Sequence, residues 1–143
     1  MGSDADLVGL AQQEVIDLHD FFTLWFRPVA GQPPALTLGR CSAALADDFR
    51  QIAPDGSLYQ RAPLLARLGQ ARGSRPAGFT IAVEVINVIW STDDAVLLDY
   101  VERQYGHGQE TQRRSTALLT RSAAAPGGVV WRHLQETWLQ QPI

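Results

Sequence analysis

The C-terminal half of the chain contains four long runs of β-branched and aromatic residues, and these runs constrain the fold more than any other feature. They cover residues 79–90, 95–105, 111–121 and 129–139, and runs of this kind bounded by turn residues are typical of strands. The connections between them, residues 91–94, 106–110 and 122–128, are shorter than the roughly twelve residues that a parallel crossover needs. The sequence therefore predicts a four-stranded antiparallel meander.

The N-terminal part of the chain has the apolar spacing of a long helix. Apolar residues recur at helical intervals from Leu7 to Trp25 and stop before Pro28, and Ser3 is placed to cap the first turn. Glu14 falls inside this apolar stripe, so we expect its carboxylate to reach a pocket mouth or to contact a partner subunit. The pattern predicts one long amphipathic helix.

Two shorter helices and a hairpin are predicted between the long helix and the meander. Apolar spacing indicates a second helix over residues 38–48 and a third over residues 63–69, where a proline occupies the first turn. The Pro-Asp-Gly sequence at residues 54–56 favours a tight turn. It predicts a small hairpin that joins residues 49–53 to residues 58–60.

Length, charge and cysteine content limit the possible classes of protein. The 143 residues, with a formal net charge of -3, predict a single domain over residues 1–143 with one core. No segment carries the basic stripe that nucleic-acid binding needs. The only cysteine, Cys41, excludes an intramolecular disulfide and a multi-cysteine zinc site and favours a cytoplasmic protein. The N-terminus is acidic and no long apolar run is present, so we expect a protein that is not exported and does not span a membrane.

The order of these elements predicts an α+β fold in which three N-terminal helices pack on a strongly curved antiparallel sheet. Asp48-Phe49, the Ile-Ala-Pro-Asp-Gly sequence at residues 52–56, Arg61 and Leu64-Leu65 resemble the "DF…PDG…R…L" segment of the SnoaL-like group. Residues 93–97, 114–119 and 131–134 resemble its last three strands. Over residues 5–140 the chain is thus similar to the nuclear transport factor 2-like superfamily, also called the cystatin-like α+β fold.

This resemblance implies a cone in which the bent sheet wraps around the first helix and leaves a mostly apolar pocket. It also implies a homodimer formed through the sheet. It implies no single activity, because the superfamily includes isomerases, dehydratases, epoxide hydrolases, polyketide cyclases and kinase association domains. The fold therefore predicts where a ligand binds and leaves the ligand itself open.

Strand alternation assigns side chains to the two faces of the predicted sheet. If the last two hairpins centre near Gly108 and Ala125, Asp99 and His133 share the face that is expected to line the pocket. A carboxylate held among apolar residues has a raised pKa, so Asp99 and His133 are candidate catalytic acid/base groups. The alternative is that Asp99 pairs with a neighbouring arginine or lies at a wet edge.

The other candidate site residues are those expected to contact a ligand. They are His19, Phe22, Trp25, Phe26, Val101, Ser115, Trp131 and Gln135. The aromatic stripe of the long helix can equally be core, because burying such rings stabilises a domain. On the opposite face of the sheet, Glu102, Arg114 and Glu136 are expected to form a cross-strand charge ladder.

Several functions fit these features. The first is a small-molecule-binding protein with an apolar pocket for an apolar or amphipathic ligand. The alternative is a cofactor-free isomerase, cyclase or dehydratase that uses Asp99 and His133, and a third possibility is that the sheet serves only for association. There is no phosphate loop, nucleophile elbow or histidine pair at metal-ligand spacing. The sequence therefore predicts no cofactor, no metal, and no nucleic-acid or membrane partner.

Overall fold

A computed structural model of the chain describes residues 4–140. Its helices are α1 (Asp4–Phe26), α2 (Gly39–Ser42) and α3 (Arg61–Gln70), with a 3₁₀ turn at Val29–Gly31. Its strands are β1 (Leu45–Ile52), β2 (Leu58–Gln60), β3 (Thr80–Ser91), β4 (Ala95–Gly106), β5 (Gln109–Arg121) and β6 (Val129–Gln140). The predicted α+β class is confirmed. Within residues 4–140, no helix has the length and apolar character needed to cross a membrane.

The strands form one six-stranded sheet in the order β2-β1-β6-β5-β4-β3. Strands β3 to β6 are the predicted antiparallel meander, and β1 and β2 are the predicted hairpin. Strand β1 also joins the meander by pairing in parallel with β6, which the sequence pattern does not predict. This pairing is feasible because α3 and the rest of the meander separate the two strands, which is more chain than a parallel crossover needs.

The second helix is much shorter than predicted. Helix α2 ends at Ser42, and strand β1 begins at Leu45, which lies inside the segment expected to be helical. Cys41 and Leu45 are both buried in the same core although they lie on different elements. Their spacing resembles that of a helical stripe because Cys41 on the helical turn and Leu45 on the strand both point into the core.

The long helix α1 lies against the inner face of the sheet, where it packs on β3, β4 and β6. The predicted cap, Ser3, lies outside the described residues. The predicted apolar stripe is buried at five positions, Leu7, Ala11, Val15, Leu18 and Trp25. Its sixth member, Phe22, is only half-buried, and Phe21 is buried in the core instead. Burial of a large apolar side chain contributes about 1.5–3 kcal/mol, so this contact is a main source of stability. On the inner face of the sheet, Leu98 from β4, Ala117 from β5 and Trp131 from β6 belong to the same core.

Glu14 lies in the apolar stripe of α1 and is only 1% exposed. Its carboxylate accepts hydrogen bonds from Arg40 Nη2 at 2.7 Å and from Trp131 Nε1 at 3.1 Å. A Cβ atom at Gly127 would overlap this carboxylate, so the turn before β6 approaches it closely. The expectation of a pocket-mouth or partner contact is therefore wrong, because Glu14 joins α1 to α2 and to β6.

Replacing Glu14 by alanine should destabilise the fold by about 3 kcal/mol, because Arg40 and the Trp131 indole N–H lose their buried acceptor. Urea denaturation followed by circular dichroism measures this loss. Glu84→Ala is the matched control, because Glu84 forms an exposed ion pair with Arg103 at 2.6 Å, and such pairs contribute about 0–1 kcal/mol. Equal losses in the two variants would contradict the structural role of Glu14.

Candidate functional site

A cavity of about 380 Å³ lies between α1, α3 and the inner face of the sheet. Its wall is mainly apolar and aromatic, and includes Leu18, Phe22, Phe26, Phe49, Tyr59, Leu64, Leu68, Ile81, Leu134 and Trp138. The volume lies within the range of about 300–1,000 Å³ that is typical of small-molecule sites. A second hollow, of about 460 Å³, lies near Asp48 and Arg61. Its lining is mainly polar and contains no pair of buried ionisable groups, so the cavity under α1 is the better candidate.

Six polar side chains, here called the polar cluster, line one part of this cavity. They are His19 from α1, Gln51 from β1, Glu102 and Gln104 from β4, Arg113 from β5 and Glu136 from β6. The sheet register brings them together, because Glu102 lies directly opposite Arg113 and Glu136 lies opposite Ser115. The parallel pairing of β1 with β6 adds Gln51 to the same group.

His19 and Glu102 form a buried ion pair. His19 Nε2 lies 3.0 Å from Glu102 Oε1, and Nδ1 lies 2.7 Å from the Val15 carbonyl oxygen. A carbonyl and a carboxylate only accept, so both ring nitrogens donate and the imidazole is positively charged. Burial by itself lowers the pKa of His19, but the Glu102 carboxylate more than offsets this effect and the pKa is raised.

The same contact acts on Glu102 in the opposite direction. Burial by itself raises the pKa of this carboxyl group, but the charge and hydrogen bond of His19 hold it well below the ordinary value of 4.5. Arg113 lowers it further, and Gln104 Nε2 donates to Glu102 Oε2 at 2.6 Å. Glu102 is therefore an ionised carboxylate with one hydrogen bond to each of its oxygens.

Glu136 pairs with Arg113 in a different environment. Its carboxylate accepts hydrogen bonds from Gln51 Nε2 at 2.5 Å and from Arg113 Nη1 at 3.3 Å. The Arg113 guanidinium also stacks on Trp138, 4.6 Å from the ring centroid. Burial and then the nearby Glu102 carboxylate raise the pKa of Glu136, although Arg113 acts against them. Two carboxyl groups in one cavity thus have pKa values shifted in opposite directions.

Three buried polar atoms within the described residues have no hydrogen-bond partner: Arg113 Nε, the Tyr100 hydroxyl and Ser115 Oγ. Tyr100 and Ser115 are cross-strand neighbours, and the Tyr100 ring centroid is 5.3 Å from that of His19. In the described part of the chain, no group of three or more His, Cys, Asp or Glu side chains is placed to hold a metal ion. Burial raises the pKa of the Cys41 thiol to about 12, which leaves it unreactive.

The predicted placement of Asp99 and His133 in the pocket is wrong. Both side chains lie on the outer face of the sheet, Asp99 opposite Thr116 and His133 opposite Leu118. Asp99 accepts a hydrogen bond from Asn87 at 3.2 Å. Strand β5 lies between the two residues, which separates them by about 10 Å. They therefore do not share a proton.

Two local features cause this error of register. The β4–β5 turn consists of His107 and Gly108, with φ values of 54° and 74°, so the hairpin centres between them and not on Gly108. A shift of one residue reverses the faces of a whole strand, here β4. In β6 the pairing shifts between Trp131 and His133, so Arg132 is the extra residue of a β-bulge and His133 turns outward.

The predicted ligand-binding residues divide into those at the cavity and those elsewhere. His19, Phe22, Phe26 and Trp131 line the cavity. Trp25 is a core residue whose indole N–H donates to the Leu68 carbonyl oxygen at 2.8 Å. Ser115 is buried on the inner face without lining the cavity, and Val101 and Gln135 lie on the outer face.

Of the polar cluster, only His19 is predicted from the sequence as a ligand-binding residue. Glu102 and Glu136 share a face, as predicted, but Arg113 joins them in place of Arg114, and this face lines the cavity. The apolar alternation of Val96 and Leu98, which runs on through Tyr100 to Glu102, is the signal that identifies the inner face of β4. It shows that Glu102 continues a buried row.

Neither a protein-family model nor a curated protein matches the sequence. Solved structures do match. An NTF2-like protein of unknown function from Pseudomonas aeruginosa is 29% identical, with a TM-score of 0.81 over 92% of this chain and 99% of that one. A hexachlorocyclohexane dehydrochlorinase from Novosphingobium barchaimii is 15% identical, with a TM-score of 0.66 over 99% and 94%.

A CaMKII hub from S. rosetta is 9% identical, with a TM-score of 0.67 over 96% of this chain and 98% of that one. At these low identities, the likeness to the dehydrochlorinase and to the hub shows the fold alone. The likeness to the Pseudomonas aeruginosa protein spans nearly the whole of both chains. The chain therefore has the cystatin-like α+β fold and belongs to the nuclear transport factor 2-like superfamily.

Proposed function

We propose that the protein binds a small, largely apolar molecule in the cavity, with the polar end of that molecule at the polar cluster. The observation that carries this proposal is that an aromatic wall and a buried set of hydrogen-bonding groups meet in one cavity of about 380 Å³. Covering Phe22, Phe26 and Trp138 supplies about 25 cal/mol per Å² of buried apolar surface. A few polar groups then fix the orientation of the ligand.

An uncharged naphthalene ketone dye whose emission depends on polarity should bind saturably, with emission shifted to the blue. Leu134→Trp places a bulky ring in the cavity and should weaken binding by about tenfold or more. Val130→Trp is the matched control, because this residue lies on the outer face of the same strand, opposite Thr120. Fluorescence titration gives the affinities. An unchanged affinity for Leu134→Trp, or no binding to the unmodified protein, would count against the proposal.

A second candidate function is cofactor-free acid/base catalysis in the same cavity, with Glu136 as the group that exchanges a proton with the ligand. The observation that favours it is the opposite pKa shifts of Glu102 and Glu136, because such pairs recur where one carboxyl group stays ionised and another transfers a proton. A dehydrochlorinase with this fold is consistent with it. Asp99 and His133 have no part in this version, because they lie outside the cavity wall.

This assignment predicts opposite effects of pH on stability. The raised pKa of Glu136 means that the folded state binds this proton more tightly, so its contribution is complete below pH 4.5 and is lost as the pH rises through the raised pKa. The lowered pKa of Glu102 makes its contribution complete above pH 4.5, and it is lost as the pH falls through the lowered pKa.

Urea denaturation at a series of pH values tests both signs. Relative to Glu136→Gln, the unmodified protein should lose stability as the pH rises above 4.5. Relative to Glu102→Gln, it should lose stability as the pH falls below 4.5. If both differences change on the same side of this pH, Glu136 does not hold its proton as the catalytic candidate requires.

We also propose a homodimer through the outer face of the sheet. Trp90 is 55% exposed and Tyr105 is 51% exposed. On the same face, Trp90 lies opposite Leu97, and Leu97 lies opposite Leu118, so the three side chains form an apolar row across the sheet. Exposed apolar rows of this kind are typical of association surfaces. The likeness in fold to a hub domain is consistent with association.

Trp90→Glu should convert the dimer into a monomer, because it places a charge in the centre of the apolar row. Light scattering at micromolar concentration measures the mass. Ile16→Glu is the matched control, because Ile16 is 39% exposed on α1, on the side away from the sheet. A monomeric unmodified protein, or an equal effect of both variants, would contradict the dimer.

A further inference from the structure

The charges around the cavity indicate the chemical class of the ligand, and this inference rests on the function proposed above. Six lining side chains carry charge: His19, Arg67 and Arg113 are positive, and Asp55, Glu102 and Glu136 are negative. Cys41 and Tyr59 contribute a thiol and a phenol. Three positive and three negative groups leave the lining without net charge.

The charges of the polar cluster also match one to one. His19 lies 3.0 Å from Glu102, and Arg113 lies 3.3 Å from Glu136. At the mouth, Asp55 is exposed and Arg67 is exposed above the Tyr59 ring, so water screens both groups. A charged ligand end would enter the buried part of the cavity without a partner, and an unpaired buried charge is costly.

The polar cluster can both donate to a ligand and accept from it, because Gln51 and Gln104 donate through their amide nitrogens and keep their amide oxygens as acceptors. All four carboxylate oxygens of Glu102 and Glu136 already accept a hydrogen bond. Arg113 has five N–H donors. Its Nη1 donates to Glu136, and its buried Nε has no partner among the described residues. An uncharged polar group therefore fits the cluster, whether it accepts or donates a hydrogen bond.

We propose that the cavity selects uncharged molecules with an apolar body and a neutral polar end, such as ketones, esters or amides, over carboxylates and amines of the same shape. The selection arises because the two ion pairs are complete without the ligand. Binding then leaves the pairing of His19 with Glu102 and of Arg113 with Glu136 intact.

Three naphthalene probes with the same ring test this selection: the carboxamide, the carboxylate and the methylammonium. Titration calorimetry at neutral pH should give an affinity for the carboxamide that is about tenfold or more above that for either charged probe. Binding of the uncharged dye without preference among the three probes overturns this inference alone. Failure of the dye and all three probes to bind overturns the proposed function and this inference with it.

Two variants should shift the selection in opposite directions. Glu136→Gln leaves the charge of Arg113 uncompensated, so the affinity for the carboxylate relative to the carboxamide should rise by about tenfold or more. Arg113→Gln leaves Glu136 uncompensated and should raise the relative affinity for the methylammonium probe. A general loss of structure would weaken the binding of all three probes. It would not raise the relative affinity for the carboxylate in one variant and for the methylammonium probe in the other.

Glu84→Gln is the matched control, because it makes the same change of charge in an exposed ion pair on the outer face, opposite Val101. It should keep the selection of the unmodified protein. An equal shift in Glu84→Gln and Glu136→Gln would assign the effect to total charge and overturn the inference. An unchanged selection in both cavity variants would overturn it as well.

Discussion

The contact between α1 and the inner face of the sheet is the interaction on which the rest of the structure depends. Most of this contact is apolar, but two buried polar side chains of α1 reach across it. Glu14 binds Arg40 and Trp131, and His19 binds Glu102. Because buried charges are costly unless they are paired, these two contacts allow one position of the helix along the sheet. They thereby fix the place of the cavity that opens beside His19.

The cavity combines two requirements that act against each other. Its wall is apolar enough to bind a small molecule, yet this same wall removes water from four ionisable groups. The chain meets the cost by pairing each cation with one carboxylate, His19 with Glu102 and Arg113 with Glu136. The pairs are unequal, because burial and then repulsion by Glu102 raise the pKa of Glu136, whereas at Glu102 the nearby His19 outweighs burial and lowers the pKa. This inequality, rather than any single unusual residue, separates the proton affinities of the two carboxyl groups.

The sequence predicts those parts of the fold that depend on local pattern. The stripe from Leu7 to Trp25 and the four C-terminal runs extend over many residues, which makes their patterns distinctive, and both α1 and the meander are confirmed. The faces of the strands depend on a finer quantity, the pairing register. One turn centred between His107 and Gly108, and one bulge at Arg132, move Asp99 and His133 to the outer face. A bulge follows from packing across strands, which single-strand alternation does not contain.

The candidate site residues show the same limit of prediction from the sequence. Asp99 attracts attention in the sequence because it interrupts an apolar run, but an interruption on an outer face faces water. Glu102 follows an unbroken buried alternation on the inner face of β4, and for that reason its charge requires a partner. Burial, together with the charges that face Glu102 inside the cavity, accounts for the shifted pKa of this carboxyl group. The function proposed for the cavity therefore acts through the inner row of β4, β5 and β6, where Glu102 pairs with His19 and Glu136 pairs with Arg113.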